Sequence, residues 1–207
     1  MLKFHTDITQ LTPENRKRVF PMLFDWFYIE HSKVKEYFNL VDKIEVADIC
    51  ILPVDAGFYL SNKRKHKVDL FIAAAKKYKK KVWIYSGGDF GTTLADEVIT
   101  FRLGGFHSKM NANTFVMPSF INDPYQSIIK NEWKPLEKMD RPTIGFVGNA
   151  DGSTLKWIKE FLIYCKQSMN RLIKKDLTDH HAFFPSSCIR FQVLEQLRKS
   201  EMIDADF

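Results

Sequence analysis

The sequence predicts an α/β fold in which a mostly parallel β-sheet is covered by helices. Several short apolar runs lack the polar–apolar alternation of a half-exposed strand, and proline or glycine follows most of them. Amphipathic segments with helical spacing separate some of these runs, and such an alternation favours a parallel sheet with right-handed crossovers. The predicted strands cover residues 2–5, 48–52, 82–86, 97–101, 114–117 and 143–147.

Length and composition limit the class of protein. The 207 residues suffice for one large domain or two small ones, and a hydrophobic share of 45% supports a substantial core. The net charge of +6 would suit nucleic acid, anionic lipid or an acidic substrate. No arginine-rich arm, zinc motif or aromatic RNA-binding signature accompanies this charge, so we expect a solvated basic surface and no nucleic-acid partner.

The cysteines and the hydropathy pattern indicate a cytoplasmic protein. Cys50, Cys165 and Cys188 are odd in number, lack metal-ligand spacing and stand in apolar surroundings, which is typical of reduced thiols. The N-terminus lacks the apolar core of a signal peptide. No apolar run approaches the ~20 residues that a membrane-spanning helix needs. We therefore expect no transmembrane segment, which leaves peripheral membrane association open.

The N-terminal region predicts two helices around an aromatic segment. Thr12 and Pro13 form a good helix start, with Thr12 as the cap. A second helix is predicted from Ser32 to about Asp42. Aromatic residues between them favour a core or domain contact, with a sugar-stacking platform as the alternative. They are Phe24, Trp26, Phe27 and Tyr28.

Residues 63–79 predict an amphipathic helix with a basic outer face. Its buried side is predicted to carry Val68, Phe71, Ile72, Ala75 and Tyr78. Seven lysine and arginine residues occupy the other face. Because the apolar stripe explains the helix without a partner, we interpret the basic face as solvated.

Polar residues follow most of the predicted strands. In parallel sheets, ligands bind beyond the carboxyl ends of the strands, so these residues are predicted to share one edge. Asn122-Asp123-Pro124 favours plain turn chemistry. The full set is Asp55, Asp89, Arg102, His107, Asn122, Asp123, Asn149 and Asp151.

The loop Gly87-Gly-Asp-Phe-Gly91 is the most unusual stretch of the first half. Adjacent glycines let a backbone approach another surface closely. Asp89 is the strongest candidate acid there, and His107 is a candidate base. The alternatives are that Asp89 caps a helix or closes its own turn, and that His107 is structural.

A second strand–turn–helix unit is predicted at residues 143–173. A short apolar run leads into a polar glycine turn, and Ser153 or Thr154 can cap the helix that follows. N–H groups at a helix start attract anions such as phosphate, although many such turns only connect elements. The turn residues of interest are Gly148, Asn149, Asp151, Gly152 and Ser153.

Five stretches together resemble exostosin-like glycosyltransferases of the GT-B fold. They are residues 47–53, 82–89, 115–118, 141–148 and 189–197. The resemblance implies two Rossmann-like domains, an acceptor-side domain over 1–133 and a donor-side domain over 143–207, with 134–142 as linker. The family's arginines after the strand of the second domain, and its later glycine-rich donor segment with a glutamate, have no counterpart here. The second domain is therefore expected to be only partial.

The resemblance implies transfer of a sugar from a nucleotide-sugar donor to a glycan acceptor, without a metal or other cofactor. Asp89 or His107 would be the catalytic base. The turn Gly148–Ser153 would meet the donor diphosphate. The acceptor side would include Asp55, Tyr59, Gly88, Phe90 and Arg102. A non-catalytic α/β module that binds an anionic glycan or a nucleotide is the alternative function.

Overall fold

A computed structural model describes residues 1–29, 32–61, 64–94, 97–118, 128–130, 132, 134, 135, 137 and 145–202. The chain forms two compact units. The first contains Met1–Ser119 together with Arg171–His181, and the second contains Phe120–Asn170 and Ala182–Phe207. The domain boundaries at 133, 134–142 and 143 stay a prediction, since most of the predicted linker lies outside the described residues.

The first unit contains a six-stranded, all-parallel sheet in the order β2-β1-β3-β4-β5-β6, which confirms the predicted Rossmann-like α/β class. The strands are β1 Leu2–His5, β2 Phe38–Leu40, β3 Ile49–Ile51, β4 Lys81–Ser86, β5 Ile99–Arg102 and β6 Thr114–Val116. The helices of this unit are α1 Pro21–Tyr28, α2 Val34–Tyr37, α3 Ala56–Ser61 and α4 Lys65–Lys77. Since β2 and β3 lie on opposite sides of β1, the strand order reverses there.

Apolar clusters cover the central strands of the sheet on both faces. Successive strand side chains point to opposite faces, so Cys50 and Ile51 belong to two different apolar clusters. Cys50 packs in one cluster with Val68 and Ala75 of α4. Ile51 packs in the other with Leu23 of α1. Burial on two faces explains why the strands read as continuous apolar runs.

One local prediction in the N-terminal region is wrong, and another is confirmed only in part. The predicted helix over 32–42 ends at Tyr37, and Phe38–Leu40 forms the edge strand β2. Phe38 and Leu40 both pack on the cluster that contains Phe4, so tertiary contact decides the structure of a segment with weak helical periodicity. A helix does begin at the predicted position, with Thr12 at the N-cap and Pro13 as its first residue, but Pro13–Arg18 is a 3₁₀ helix and Thr12 makes no side-chain capping bond.

The aromatic residues of α1 belong to the core. The ring of Trp26 meets Phe4 edge-on, with centroids 5.3 Å apart. The guanidinium of Arg16 lies over the rings of Phe24 and Tyr28, at 5.6 and 5.2 Å from their centroids. Phe27, at 38% exposure, is the most open of the four, and the other three are partly buried against the apolar cluster that contains Phe4. These contacts support the core interpretation of the cluster over a sugar-stacking platform.

The described residues of the second unit contain helix and loop but no strand. Most of α5 Thr154–Leu172 and all of α6 Ser186–Arg198 belong to it. Gly145–Val147 have no regular secondary structure, and the first residues of the predicted strand 143–147 lie outside the described part. The ring of Phe183 packs against Trp157 and Phe161 of α5 at centroid distances of 5.4 and 5.3 Å. None of the described helices is both long and apolar enough to cross a membrane.

Candidate functional site

The loops after β3, β4 and β5 form one edge of the first unit. Asp55 follows β3, Asp89 follows β4 and His107 follows β5, as the strand pattern predicts. The predicted turn 122–124 lies outside the described residues. This carboxyl edge is where parallel sheets bind ligands, so we take it as the candidate site.

Asp55 ties two of these loops together. One carboxylate oxygen accepts a hydrogen bond from the N–H of Gly87 at 2.8 Å, and the other accepts from the N–H of Gly57. Burial raises the pKa of Asp55, while the N–H groups of Gly87, Gly57 and Phe58 and the charge of Arg18 act in the opposite direction. Asp55 therefore supports the site rather than standing open in it.

Asp89 is presented to solvent by a glycine turn. Gly88 and Gly91 have φ angles of +83° and +59°, which side chains disfavour, so glycine is needed at both ends of this short turn. Asp89 is exposed, and its carboxylate makes no hydrogen bond or ion pair with any described residue. The turn-closing and capping alternatives would require such a bond. The carboxylate is therefore open to an incoming ligand.

The loops after β4 and β5 are packed closely. The backbone carbonyl of Asp89 lies against Gly104, where an added Cβ would approach its oxygen to 2.8 Å. His107 lies beyond this contact on a short 3₁₀ helix, His107–Lys109, and is exposed. The two candidate bases thus stand on neighbouring loops of one edge.

Arg102, at the end of β5, is completely buried. Its Nε donates to the carbonyl of Gly104 at 2.7 Å, and its Nη2 donates to the carbonyl of Phe90. Its Nη1 lies 3.0 Å from Oδ2 of Asp179. This buried guanidinium bonds the loops after β4 and β5 and a carboxylate, so it supports the structure of the site, and its contact with an acceptor stays a prediction.

Asp179 is a site residue that sequence reasoning missed. Its carboxylate also accepts from the N–H and hydroxyl of Thr93 at 2.6 and 2.7 Å, and its own N–H donates to the carbonyl of Gly91 at 3.0 Å. Residues 176–185 show no periodicity that would have placed it. The one available signal was Arg102, because a buried arginine requires a carboxylate partner.

Two further predicted acceptor-side residues are covered by their neighbours. The ring of Phe90 stacks on His181 with centroids 3.8 Å apart and an interplanar angle of 15°. Tyr59 on α3 is 3% exposed, and burial raises its pKa to about 12. A role for either side chain in binding an acceptor stays a prediction.

A cavity of about 210 Å³ opens beside these loops. Thr92, Ser61 on α3 and Lys175 of the segment Arg171–His181 contribute polar groups to its lining. The carboxylate of Asp176 is already bonded to the N–H and hydroxyl of Thr178 at 2.9 and 2.7 Å. The lining residues are Gly57, Leu60, Ser61, Thr92, Lys175, Asp176, Leu177 and Thr178. We call this space the α3 cavity; its mixture of apolar and hydroxyl groups suits a small polar ligand.

The turn before α5 is closed by its own side chains. Oδ1 of Asp151 accepts from the N–H of Ser153 at 2.8 Å, and the Ser153 hydroxyl caps the helix by accepting from the N–H of Lys156 at 3.3 Å. Hydrogen bonding from the N–H and the hydroxyl of Ser153 lowers the pKa of Asp151 below its usual range. A donor phosphate that binds the N–H groups of this turn would have to displace the Asp151 carboxylate or lie beside its negative charge.

The other residues of that turn serve packing within the second unit. The carbonyl of Asn149 accepts from Arg190 at 3.5 Å. Gly152 lies against the ring of Phe191, and a Cβ there would overlap it. Gly148 lies near the ring of Phe146, which a Cβ would meet at 3.0 Å. The predicted phosphate role of the turn stays untested, and these contacts give its glycines a packing role.

Within the described residues, no group of three or more His, Cys, Asp or Glu side chains is arranged to hold a metal ion. Comparison of the chain with known protein families, curated proteins and solved structures gives no match. The candidate function therefore depends on the site itself and on the sequence resemblance.

Proposed function

We propose that the chain is an exostosin-like glycosyltransferase, or part of one, whose first unit receives a glycan acceptor. The observation that supports this most is the exposed carboxylate of Asp89, without a protein partner among the described residues, at the carboxyl edge of a parallel sheet. The proposal also uses the five stretches that resemble the family. The reduced state expected of the cysteines leads us to place the protein in the cytoplasm.

In this proposal Asp89 is the general base. An acceptor hydroxyl attacks the anomeric carbon of the donor sugar, its oxygen forms the new glycosidic bond, and the bond to the nucleoside diphosphate breaks. The hydroxyl proton passes to a carboxylate oxygen of Asp89, and the diphosphate leaves with the bonding electron pair. Positioned base catalysis of this kind contributes roughly 10²–10⁴ in rate. His107, exposed on the next loop, is the second candidate for the proton.

The test is release of nucleoside diphosphate from a panel of nucleotide sugars, with and without glycan acceptors. We expect acceptor-dependent release that Asp89→Asn lowers by about 10²–10⁴-fold. Asp69→Asn is the matched control, because Asp69 lies on the exposed face of α4 in a pair with Lys65 at 2.8 Å. Normal turnover in the Asp89 variant would remove its role as base and leave His107→Gln as the next variant to assay.

A second candidate function is binding of an anionic glycan or a nucleotide without catalysis. The α3 cavity favours it, because its mainly apolar lining with a few polar groups, such as Thr92 and Lys175, can hold a small ligand without any catalytic group. Calorimetric titration with the same nucleotide sugars and glycans separates the two functions. Binding without turnover in any donor–acceptor combination would select the binding module.

A further inference from the structure

Several hydrogen bonds from neighbouring residues restrain the loop that carries Asp89. The hydroxyl of Ser86 accepts from the N–H of Thr92 at 2.9 Å, and both groups are buried. Arg102 holds the carbonyl of Phe90. The N–H of Gly87 is bonded to Asp55 at 2.8 Å. Between these contacts the loop has glycine at positions 87, 88 and 91, so its own backbone does little to restrict its shape.

Asp179 forms hydrogen bonds with the C-terminal end of this loop, at Gly91 and Thr93. Its carboxylate accepts from both polar groups of Thr93 and from Arg102, and its N–H donates to Gly91. The Thr93 hydroxyl oxygen also lies 2.6 Å from the carbonyl oxygen of Lys109, on the loop after β5. Because the hydroxyl has a single proton, it donates either to this carbonyl or to Asp179 at any one time. Hydrogen bonds to a charged carboxylate are stronger and more directional than neutral ones.

We propose that Asp179 is a positioning residue: by holding Thr93 and Arg102 together, it fixes the loop Gly87–Thr93 and thereby the location of the Asp89 carboxylate. The catalytic meaning of that location rests on the proposed function, whereas the positioning itself does not. Asp179 lies 77 positions from Arg102 in the sequence, so the loop shape depends on a distant segment of the chain.

The variant Asp179→Asn tests the inference in the complete chain. Asparagine keeps the size and one carbonyl oxygen but loses the charge that faces Arg102. Amide hydrogen exchange should become about tenfold faster at Thr93, which loses a charge-assisted acceptor. The amide of Thr100, bonded to the carbonyl of Asn113 at 2.9 Å within the sheet, reports global opening and should not change.

The deciding measurement is the NMR signal of the Asp89 carboxyl carbon, assigned by its loss in Asp89→Asn. We expect that signal to shift or broaden in Asp179→Asn, which a loss of stability alone would not produce in the folded protein. Asp176→Asn is the matched control, since the Asp176 carboxylate bonds to Thr178 within its own turn. It should leave the Asp89 signal unchanged.

An Asp89 signal that is identical in the wild type and Asp179→Asn overturns the inference, whatever the exchange at Thr93. If Asp179→Asn fails to fold, Thr93→Val replaces it, because valine keeps the backbone N–H and removes only the hydroxyl bonds. That variant should shift the Asp89 signal in the same direction by less, and no shift overturns the inference. A shifted signal in a chain without transferase activity counts against the proposed function alone.

Discussion

The carboxylate of Asp55 accepts a hydrogen bond from the N–H of Gly87 at 2.8 Å, so one partly buried acid joins the loops after β3 and β4. Burial raises the pKa of this acid in the folded chain. The folded state therefore binds the proton more tightly than the unfolded state, whose aspartate pKa is about 3.9. The stability that this difference contributes is present below that pH and is lost as pH rises through the raised pKa.

Urea unfolding of the wild type and Asp55→Asn over pH 4–7 checks this relationship. The free energy of unfolding of the wild type should decline relative to that of the asparagine variant as pH rises from about 4. Asparagine does not titrate, so the variant supplies the reference at each pH. A wild type that gains stability relative to the variant over this range would mean that the N–H donors outweigh burial.

The packing of Gly152 against Phe191 gives a second prediction. A methyl group at Gly152 would overlap the aromatic ring, so Gly152→Ala should cost about 1–3 kcal/mol of the free energy of unfolding. Chemical denaturation followed by circular dichroism measures it. Gly145→Ala is the control, because a Cβ at Gly145 has no atom within 4 Å.

Phe191→Leu in the Gly152→Ala background should recover part of that loss, since the smaller side chain makes room for the methyl. Equal stabilities of Gly152→Ala and Gly145→Ala would show that the ring moves aside freely. The turn Gly148–Ser153 would then owe its glycines to something other than packing.

The three thiols should differ in reactivity. Burial raises the pKa of Cys50 to about 11, and Cys188 is also buried, whereas Cys165 is partly exposed. Since the thiolate is the reactive form, a thiol reagent at pH 8 should label Cys165 first and the other two only on unfolding. Mass spectrometry of the labelled native protein identifies the site, with Cys165→Ser as the control. Rapid native labelling of Cys50 would contradict its burial.

The basic face of α4 should not bind nucleic acid tightly. Lys65 and Lys76 are exposed and paired with Asp69 and Glu97, each at 2.8 Å, as on an ordinary solvated surface. In a gel-shift assay we expect only weak binding of DNA or RNA that falls steeply with added salt. The double variant Lys76→Glu, Lys77→Glu tests the specific contribution of this face. Tight, salt-resistant binding that this variant abolishes would contradict the interpretation.

Sequence reasoning identified most of the sheet because its central strands are buried on both faces. The apolar runs in Ile49–Ile51 and Lys81–Ser86 are too short and too continuous for an amphipathic helix, so they indicate buried strands. The edge strand Phe38–Leu40 escaped detection because it has three residues and its apolar contacts lie with Phe4, 34 positions earlier in the chain. Local pattern carries no information about such a partner.

The candidate site was predictable in its location and not in its interactions. The rule for parallel sheets placed Asp55, Asp89 and His107 at one edge. It could not distinguish the partly buried, bonded Asp55 from the exposed Asp89, because burial depends on neighbouring loops. Asp179 was missed for the same reason: its partners are fixed by the return of an irregular segment to the first unit.

The segment Arg171–His181 belongs to the first unit, and this limits the order in which the chain can fold on the ribosome. The first unit is discontinuous, with Met1–Ser119 separated from Arg171–His181 by most of the second unit. Until Asp179 has been synthesised, the Arg102 guanidinium has no access to the carboxylate it meets in the native fold. In the nascent chain, the loops after β4 and β5 therefore lack this contact until 77 further residues have been added after Arg102. Any recombinant fragment intended to preserve the carboxyl edge has to include the chain as far as His181.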